Sequence, residues 1–245
     1  MPESDLASIW VYLSASPLLG LTVTLLAYIA AHSLYVRARQ HPLLNPVITS
    51  VALLIALLSV TRTPYGTYFQ GGQYVHFLLG PATVALAVPL YQQVAKLKSL
   101  WFPVVVTVGF GAIASGFSSM AIARVLGASL ETQLSLAPKA VTAPVAMGIS
   151  EQVGGLPSLT AALVVLTGIF GAAIGVKVFE LMGIADDSVK GIAMGIAAHG
   201  IGTARAFQVS AEMGAFSGLA MALSALFSAA ILPGAIGWLI GLGWL

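Results

Sequence analysis

Ala137-Pro138-Lys139-Ala140-Val141-Thr142-Ala143-Pro144 sets an ammonium group and two prolines inside a chain that is otherwise close to continuously apolar. A second run, Ala197-Ala198-His199-Gly200-Ile201-Gly202-Thr203-Ala204-Arg205, adds an imidazole, two glycines and a guanidinium. A charge held in hydrocarbon costs about 2.5 kcal/mol or more, so one that is kept there faces a cavity or a partner. Proline and glycine leave backbone groups without helical partners, which membrane depth tolerates only where those groups line protein or water. The two stretches therefore predict an all-α integral membrane protein with broken helices and a polar site inside it.

The rest of the sequence agrees. Of the 245 residues 58% are hydrophobic and 7% charged, against about 25% charged in a soluble domain. No segment between the apolar runs is long enough for a soluble domain, so the function lies in or across the bilayer. Ten scattered Lys and Arg residues make no basic stripe, which argues against nucleic acid as a partner. The absence of cysteine rules out disulfides and thiolate chemistry. Met1-Pro2-Glu3-Ser4-Asp5 has no basic n-region, which argues against a cleaved signal peptide.

Read along its length, the chain is expected to be a single transmembrane domain over 1–245 with about seven to eight crossing or re-entrant segments. Residues 1–63 hold N-terminal spans, 64–233 a core, and 234–245 the tail of the last span. Leu6 to Val36 is long enough to cross and is divided by Pro17; Arg37, Arg39 and His41 follow it, which places that loop in the cytoplasm and the N-terminus outside. Val75 to Leu90 is apolar but broken by Gly80, Pro81 and Pro89, and Lys96 and Lys98 mark a second cytoplasmic loop. Leu79-Gly80-Pro81 resembles Leu136-Ala137-Pro138, and Ser150, Gly154 and Leu159 match Ser210, Gly214 and Leu219 at one offset. Such matches raise a duplication of the kind found in transporters, inverted or parallel.

Lys139 follows Pro138, and proline favours the first helical turn, so Lys139 and Thr142 would share a face near a helix start, where an anion is favoured. The alternative is a lysine that snorkels to the interface. Arg205 offers a planar fork for a carboxylate and His199 a group that titrates near neutral pH; Gly200 and Gly202 would let the two converge. Otherwise the glycines serve close helix packing and Arg205 neutralises Glu212. Pro144 marks the end of the first broken stretch. Thr203 is a candidate for a hydroxyl contact. Glu151 either takes up a proton or balances Lys139, or is a solvated residue before Gly154-Gly155. Lys177 and Glu180 are spaced for an ion pair, and Asp186 and Asp187 for a helix cap. The histidines lack metal spacing, and no phosphate loop or serine elbow occurs, so neither a metal nor a cofactor nor an enzymatic reaction is expected.

Three words carry a family resemblance: Leu79 to Ala87; Ala137-Pro138-Lys139-Ala140-Val141-Thr142-Ala143-Pro144-Val145-Ala146-Met147 through Gly155; and Ala198-His199-Gly200-Ile201-Gly202-Thr203-Ala204-Arg205-Ala206. Over Pro64 to Pro233 the chain resembles the LrgB/CidB family of bacterial membrane proteins, which is related to the C-terminal part of the plant plastidal glycolate/glycerate translocator. The family's usual pattern has Glu where this chain has Gly148, so no acidic site residue is placed there. The resemblance implies a protein of the bacterial cytoplasmic membrane. Its function would be either an antiholin-like modulation of murein hydrolase activity and autolysis with a small LrgA/CidA-type partner, or the carriage of small hydroxy acids. Buried Lys, His and Arg beside broken helices favour the second. The expected function is a proton-coupled secondary transporter of small monocarboxylates, with Lys139, Thr142, His199, Thr203 and Arg205 at the substrate and Glu151 or His199 at the proton. A homodimer is expected on symmetry grounds.

Overall fold

A computed structural model describes residues 17–38 and 44–244. The sequence readings for Glu3, Asp5, Arg39 and His41 lie outside the described residues. The chain forms two compact units, Met1–Ala85 and Leu86–Leu245. Among the described residues all regular structure is helical.

In the first unit, α1 (Pro17–Arg37) packs on α2 (Pro46–Val60) and on α3 (Tyr65–Phe77), which leads into α4 (Leu79–Ala85). Asn45 caps α2, its side chain accepting from the Val47 amide at 2.9 Å. Gly20 lets α3 come close, since a Cβ there would stand 2.5 Å from the Tyr68 carbonyl. Thr24 Oγ1 then reaches both the Gly20 carbonyl, at 2.7 Å, and the Tyr68 hydroxyl, at 2.8 Å. The helical run is interrupted at Leu78, and Gly80 and Pro81 follow in the first turn of the short helix α4.

The second unit begins with α5 (Ala87–Gln92) and is built on three long apolar helices: α6 (Val94–Val125), α9 (Pro157–Leu181) and α11 (Ala211–Gly241). Each is long and apolar enough to cross a membrane, as are α1 and the run Tyr65–Gln92. Leu26, Ile55, Phe110, Phe170 and Leu226 are exposed, as lipid-facing side chains are. Residues 214–244 hold one span, not two, because Pro233 is accommodated inside α11.

Between these spans lie two segments that enter and turn back. Following α6, α7 (Leu130–Leu136) runs inward and continues as a tight turn to Val141, with Lys139 N–H donating to the Leu136 carbonyl and Val141 N–H to the Pro138 carbonyl. α8 (Ala143–Val153) then returns, so that the Leu156 amide donates to Ser135 Oγ at 2.8 Å. After α9, α10 (Asp187–Val209) starts from the other end of the unit and is broken at His199, where φ is 39° and ψ −133°. Its two legs, 187–198 and 200–209, fold against each other: the Ser210 hydroxyl donates to Asp187 Oδ2 at 2.7 Å, although 23 residues separate them. In a straight helix that separation would be roughly 35 Å. A Cβ on Gly202 would lie 3.0 Å from the Met194 carbonyl, which fixes the legs as neighbours.

Glycines make this packing possible. Gly191 and Gly195 on the entering leg of α10 face the Met213 and Ser217 carbonyls of α11, where any Cβ would collide with backbone. Gly168, Gly171 and Gly175 of α9 take His199, Ala198 and Met194 in the same way. The pairing of 168 with 199 and 175 with 194 makes α9 antiparallel to that leg. The pairing of 191 with 213 and 195 with 217 makes α11 parallel to it.

The suggested repeats look different in three dimensions. Leu79 to Val84 is helical within the first unit, whereas Leu136 to Val141 is the inward turn of the first hairpin. Ser150 and Ser210 both precede a long span that follows a hairpin, but Ser150 lies inside α8 and Ser210 caps α11, accepting from Met213 N–H at 3.0 Å.

Candidate functional site

Lys139 stands in the turn of the first hairpin, three residues before its return helix, and not in a helical first turn as its spacing from Pro138 suggests. The reason is local: Pro144 occupies the start of α8, and Thr142 takes the extended cap conformation in front of it. Lys139 and Thr142 therefore do not share a helix face. The Thr142 hydroxyl makes no capping bond, so the first amides of α8 are not closed off by it. Pro138 itself is fully buried in the turn.

The turn rests on α6 through small residues. Ser119 Oγ lies 3.2 Å from the Leu136 carbonyl, Gly116 faces the Ala137 carbonyl, and Lys139 Nζ donates to Ser115 Oγ at 3.3 Å. Ser115 is a site residue that sequence reasoning missed; a serine next to a glycine in a long apolar helix is the signal that points to it. None of the salt bridges among the described residues includes Lys139.

The tip of the second hairpin arrives at the same depth from the opposite end. Ile196 packs on Gly111 of α6, one turn from Ser115. His199 is buried, and its Nε2 lies 3.0 Å from the Val164 carbonyl of α9. Val164 also belongs to the core around Ala137 and Val141, so both tips meet one stretch of α9. The Lys139 ammonium is near enough to act electrostatically on the His199 imidazole. Gly200 lies against Met221 of α11, and Thr203 Oγ1 donates to the His199 carbonyl at 2.9 Å and shares a bond of 2.9 Å with Ser217 Oγ. One turn further along α11, Ser224 is buried without a hydrogen-bond partner for its hydroxyl. Gly111, Val164 and Met221 each lie inside a long apolar helix, away from its ends.

The starts of α8 and of the returning leg of α10 each bring a positive dipole end to a hairpin tip, and Lys139 adds an ammonium at the first. The arrangement can attract one small anion. Breaking a non-glycine residue into positive φ costs on the order of 1–3 kcal/mol and persists only where the surroundings impose it.

Other candidates do not join this group. Arg205 lies on the returning leg, half-buried, and donates to Gln208 Oε1 at 2.9 Å. Glu212 pairs with Lys96 at 2.7 Å. Glu151 is exposed near the end of α8 and does not balance Lys139. Gly148 is open, with no atom near the place of a Cβ. Lys177 pairs with Glu180 at 2.9 Å. Among the described residues no group of three or more His, Asp or Glu could hold a metal ion. A recess of about 440 Å³ between α6 and α10, lined by Pro103, Phe110, Ile192 and Ile196, is apolar and suits lipid.

The base of the second hairpin is ionic. Lys96, in the first turn of α6, lies 3.2 Å from Asp186 and 2.7 Å from Glu212, joining three helices. Asp186 also caps α10. The Ser188 hydroxyl first, and then Lys96, hold its carboxyl well below the usual carboxylate range. Lys190, followed by Ser210, does the same for Asp187.

The sequence model of the LrgB-like family matches residues 24–238. An uncharacterized protein of Bacillus subtilis (strain 168), YwbG, is 34% identical over 216 residues, 88% of this chain and 96% of that one. The antiholin-like protein LrgB of Bacillus cereus (strain B4264) is 29% identical over 218 residues, 89% of this chain and 95% of that one. The protein of the same description from Bacillus anthracis (strain CDC 684 / NRRL 3495) is equally similar. No solved structure matches.

Proposed function

The chain belongs to the LrgB-like family, and from that premise we propose that it is an antiholin-like protein of a bacterial cytoplasmic membrane that restrains murein hydrolase activity and autolysis. Support comes from the description of its relatives, which cover nearly the whole chain. In this role it works with a small membrane protein of the LrgA/CidA type and assembles as a homodimer. Deleting the gene should speed detergent-induced lysis of whole cells, and the tagged protein should bring down the small partner. Unchanged lysis together with purification alone would sink this reading.

A second reading is favoured by one observation, the meeting of two opposed hairpin tips at Lys139. A lesion-forming or purely regulatory protein has no need of a lone ammonium at that depth, whereas a carrier of small carboxylates has. In this reading the protein is a proton-coupled carrier of monocarboxylates such as glycolate, glycerate, lactate or pyruvate. Lys139 binds the carboxylate, Thr142 and Thr203 serve a hydroxyl, and Arg205 is a second cation met on the returning leg. Glu151 or His199 takes the coupling proton. Uptake of labelled monocarboxylates into proteoliposomes, with and without a pH gradient, is the test. Equal uptake by wild type, Lys139→Ala and Arg205→Ala would refute the site.

A further inference from the structure

The tip of α10 holds a histidine where its backbone favours a glycine. Gly200, the next residue, would accept φ 39° without cost, yet the break falls on His199. The side chain is therefore what the position is kept for. Its Nε2 is 3.0 Å from the Val164 carbonyl, and because a carbonyl only accepts, the ring donates there. The ring sits in a notch opened by Gly168, where a Cβ would stand 2.7 Å from His199 Cε1 and 3.0 Å from Nε2. The His199 carbonyl accepts from the Thr203 hydroxyl, which also bonds Ser217 of α11. One residue thus ties the tip to α9 through its ring and to the returning leg and α11 through its backbone.

We infer that His199 is a positioning residue, a latch that holds the tip of the second hairpin against α9. What the latch guards, the place beside Lys139, rests on the carrier reading above. Whether the latch holds is a property of the hairpin alone.

A glutamine can keep the latch, since its amide can donate to the Val164 carbonyl as the ring does. The chain has no cysteine, so a single introduced thiol reports without background. Ser224→Cys is a suitable probe: the residue is 1% exposed, its hydroxyl has no partner to lose, and it lies one turn beyond Met221, which faces Gly200. In the purified full-length protein, the rate of labelling by a small maleimide is measured. Adding His199→Gln should leave the rate within about twofold. His199→Ala should raise it by about tenfold, because one hydrogen bond of ordinary worth moves a local opening equilibrium by up to that factor. Gly168→Ala crowds the ring from the side of α9 while leaving His199 in place; it should also raise the rate, and it decides the matter if His199→Ala does not fold. The latch is overturned if His199→Gln labels as fast as His199→Ala, or if Gly168→Ala and His199→Ala both label at the parent rate. Labelling needs no substrate, so a failure to find uptake would remove the carrier reading and leave this result standing.

Discussion

Lys139 is the least comfortable side chain in the second unit, an ammonium in the turn of the first hairpin that donates to a serine hydroxyl. Its removal should separate stability from function. Lys139→Met is expected to unfold in detergent at or above the temperature of the parent, since a long apolar chain replaces a poorly compensated charge. Carboxylate uptake should fall tenfold to roughly a hundredfold, the worth of one charged hydrogen bond. Thr160 behaves the other way. Its buried hydroxyl donates to the Ser135 carbonyl at 3.0 Å and shares a bond of 2.7 Å with Ser150 Oγ, tying α9 to both legs of the first hairpin. Thr160→Val should cost about 1–3 kcal/mol in an unfolding titration, because two buried polar groups lose a partner. The sequence made Lys139 and His199 conspicuous, because charge is scarce and each sits among helix breakers. Thr160 and Ser217 were not legible, since a serine or threonine in an apolar run looks like any other until its neighbour across the fold is known.

The elements show the same division. Pro138 and Gly200 announce that two helices are interrupted, and Asp186 announces a cap, because these effects are local to a few residues. Whether an interrupted helix kinks onward or turns back is not local. It is decided by the contact of Asp187 with Ser210, 23 residues apart, and by the room that Gly202 leaves for Met194 across the break. For that reason Arg205, read as converging on His199, lies on the returning leg instead. The glycines of the hairpin are correspondingly intolerant. Gly195→Ala drives a Cβ into the Ser217 carbonyl and should cost about 1–3 kcal/mol, as overpacking does. Gly148→Ala, in open space on a helix, should be neutral or stabilise by up to about 1 kcal/mol. Thermal unfolding of the two variants side by side checks both the sign and the contrast.

At the scale of the second unit, α6 with the first hairpin and α9 with the second have the same plan in opposite directions. The end of the unit that carries Lys96, Lys98, Lys177 and Lys190 has more cations than the end with Arg124, so it should face the cytoplasm. A fluorescent protein inserted in the loop 182–186 should then glow, and alkaline phosphatase fused at the C-terminus should be active. The ionic joint at the cytoplasmic end should respond to acid. Asp186 and Asp187 titrate below their unfolded value of about 3.9, so the stability they contribute is fully present above that value, begins to fall as pH drops below it and is lost through their lower folded values. Unfolding midpoints measured from pH 7 to pH 3 should drop less for Lys96→Met, which begins without the joint.

The opposed hairpins have one further consequence. A site closed by one hairpin from each face, each resting on the same two spans, gives neither direction an evident structural advantage. Carriage through it would be reversible, with its direction set by the gradients outside and not by the protein. Vesicles loaded with unlabelled substrate at equal concentration on both sides should therefore take up labelled substrate by counterflow, at a rate that Lys139→Met lowers by the same factor as net uptake.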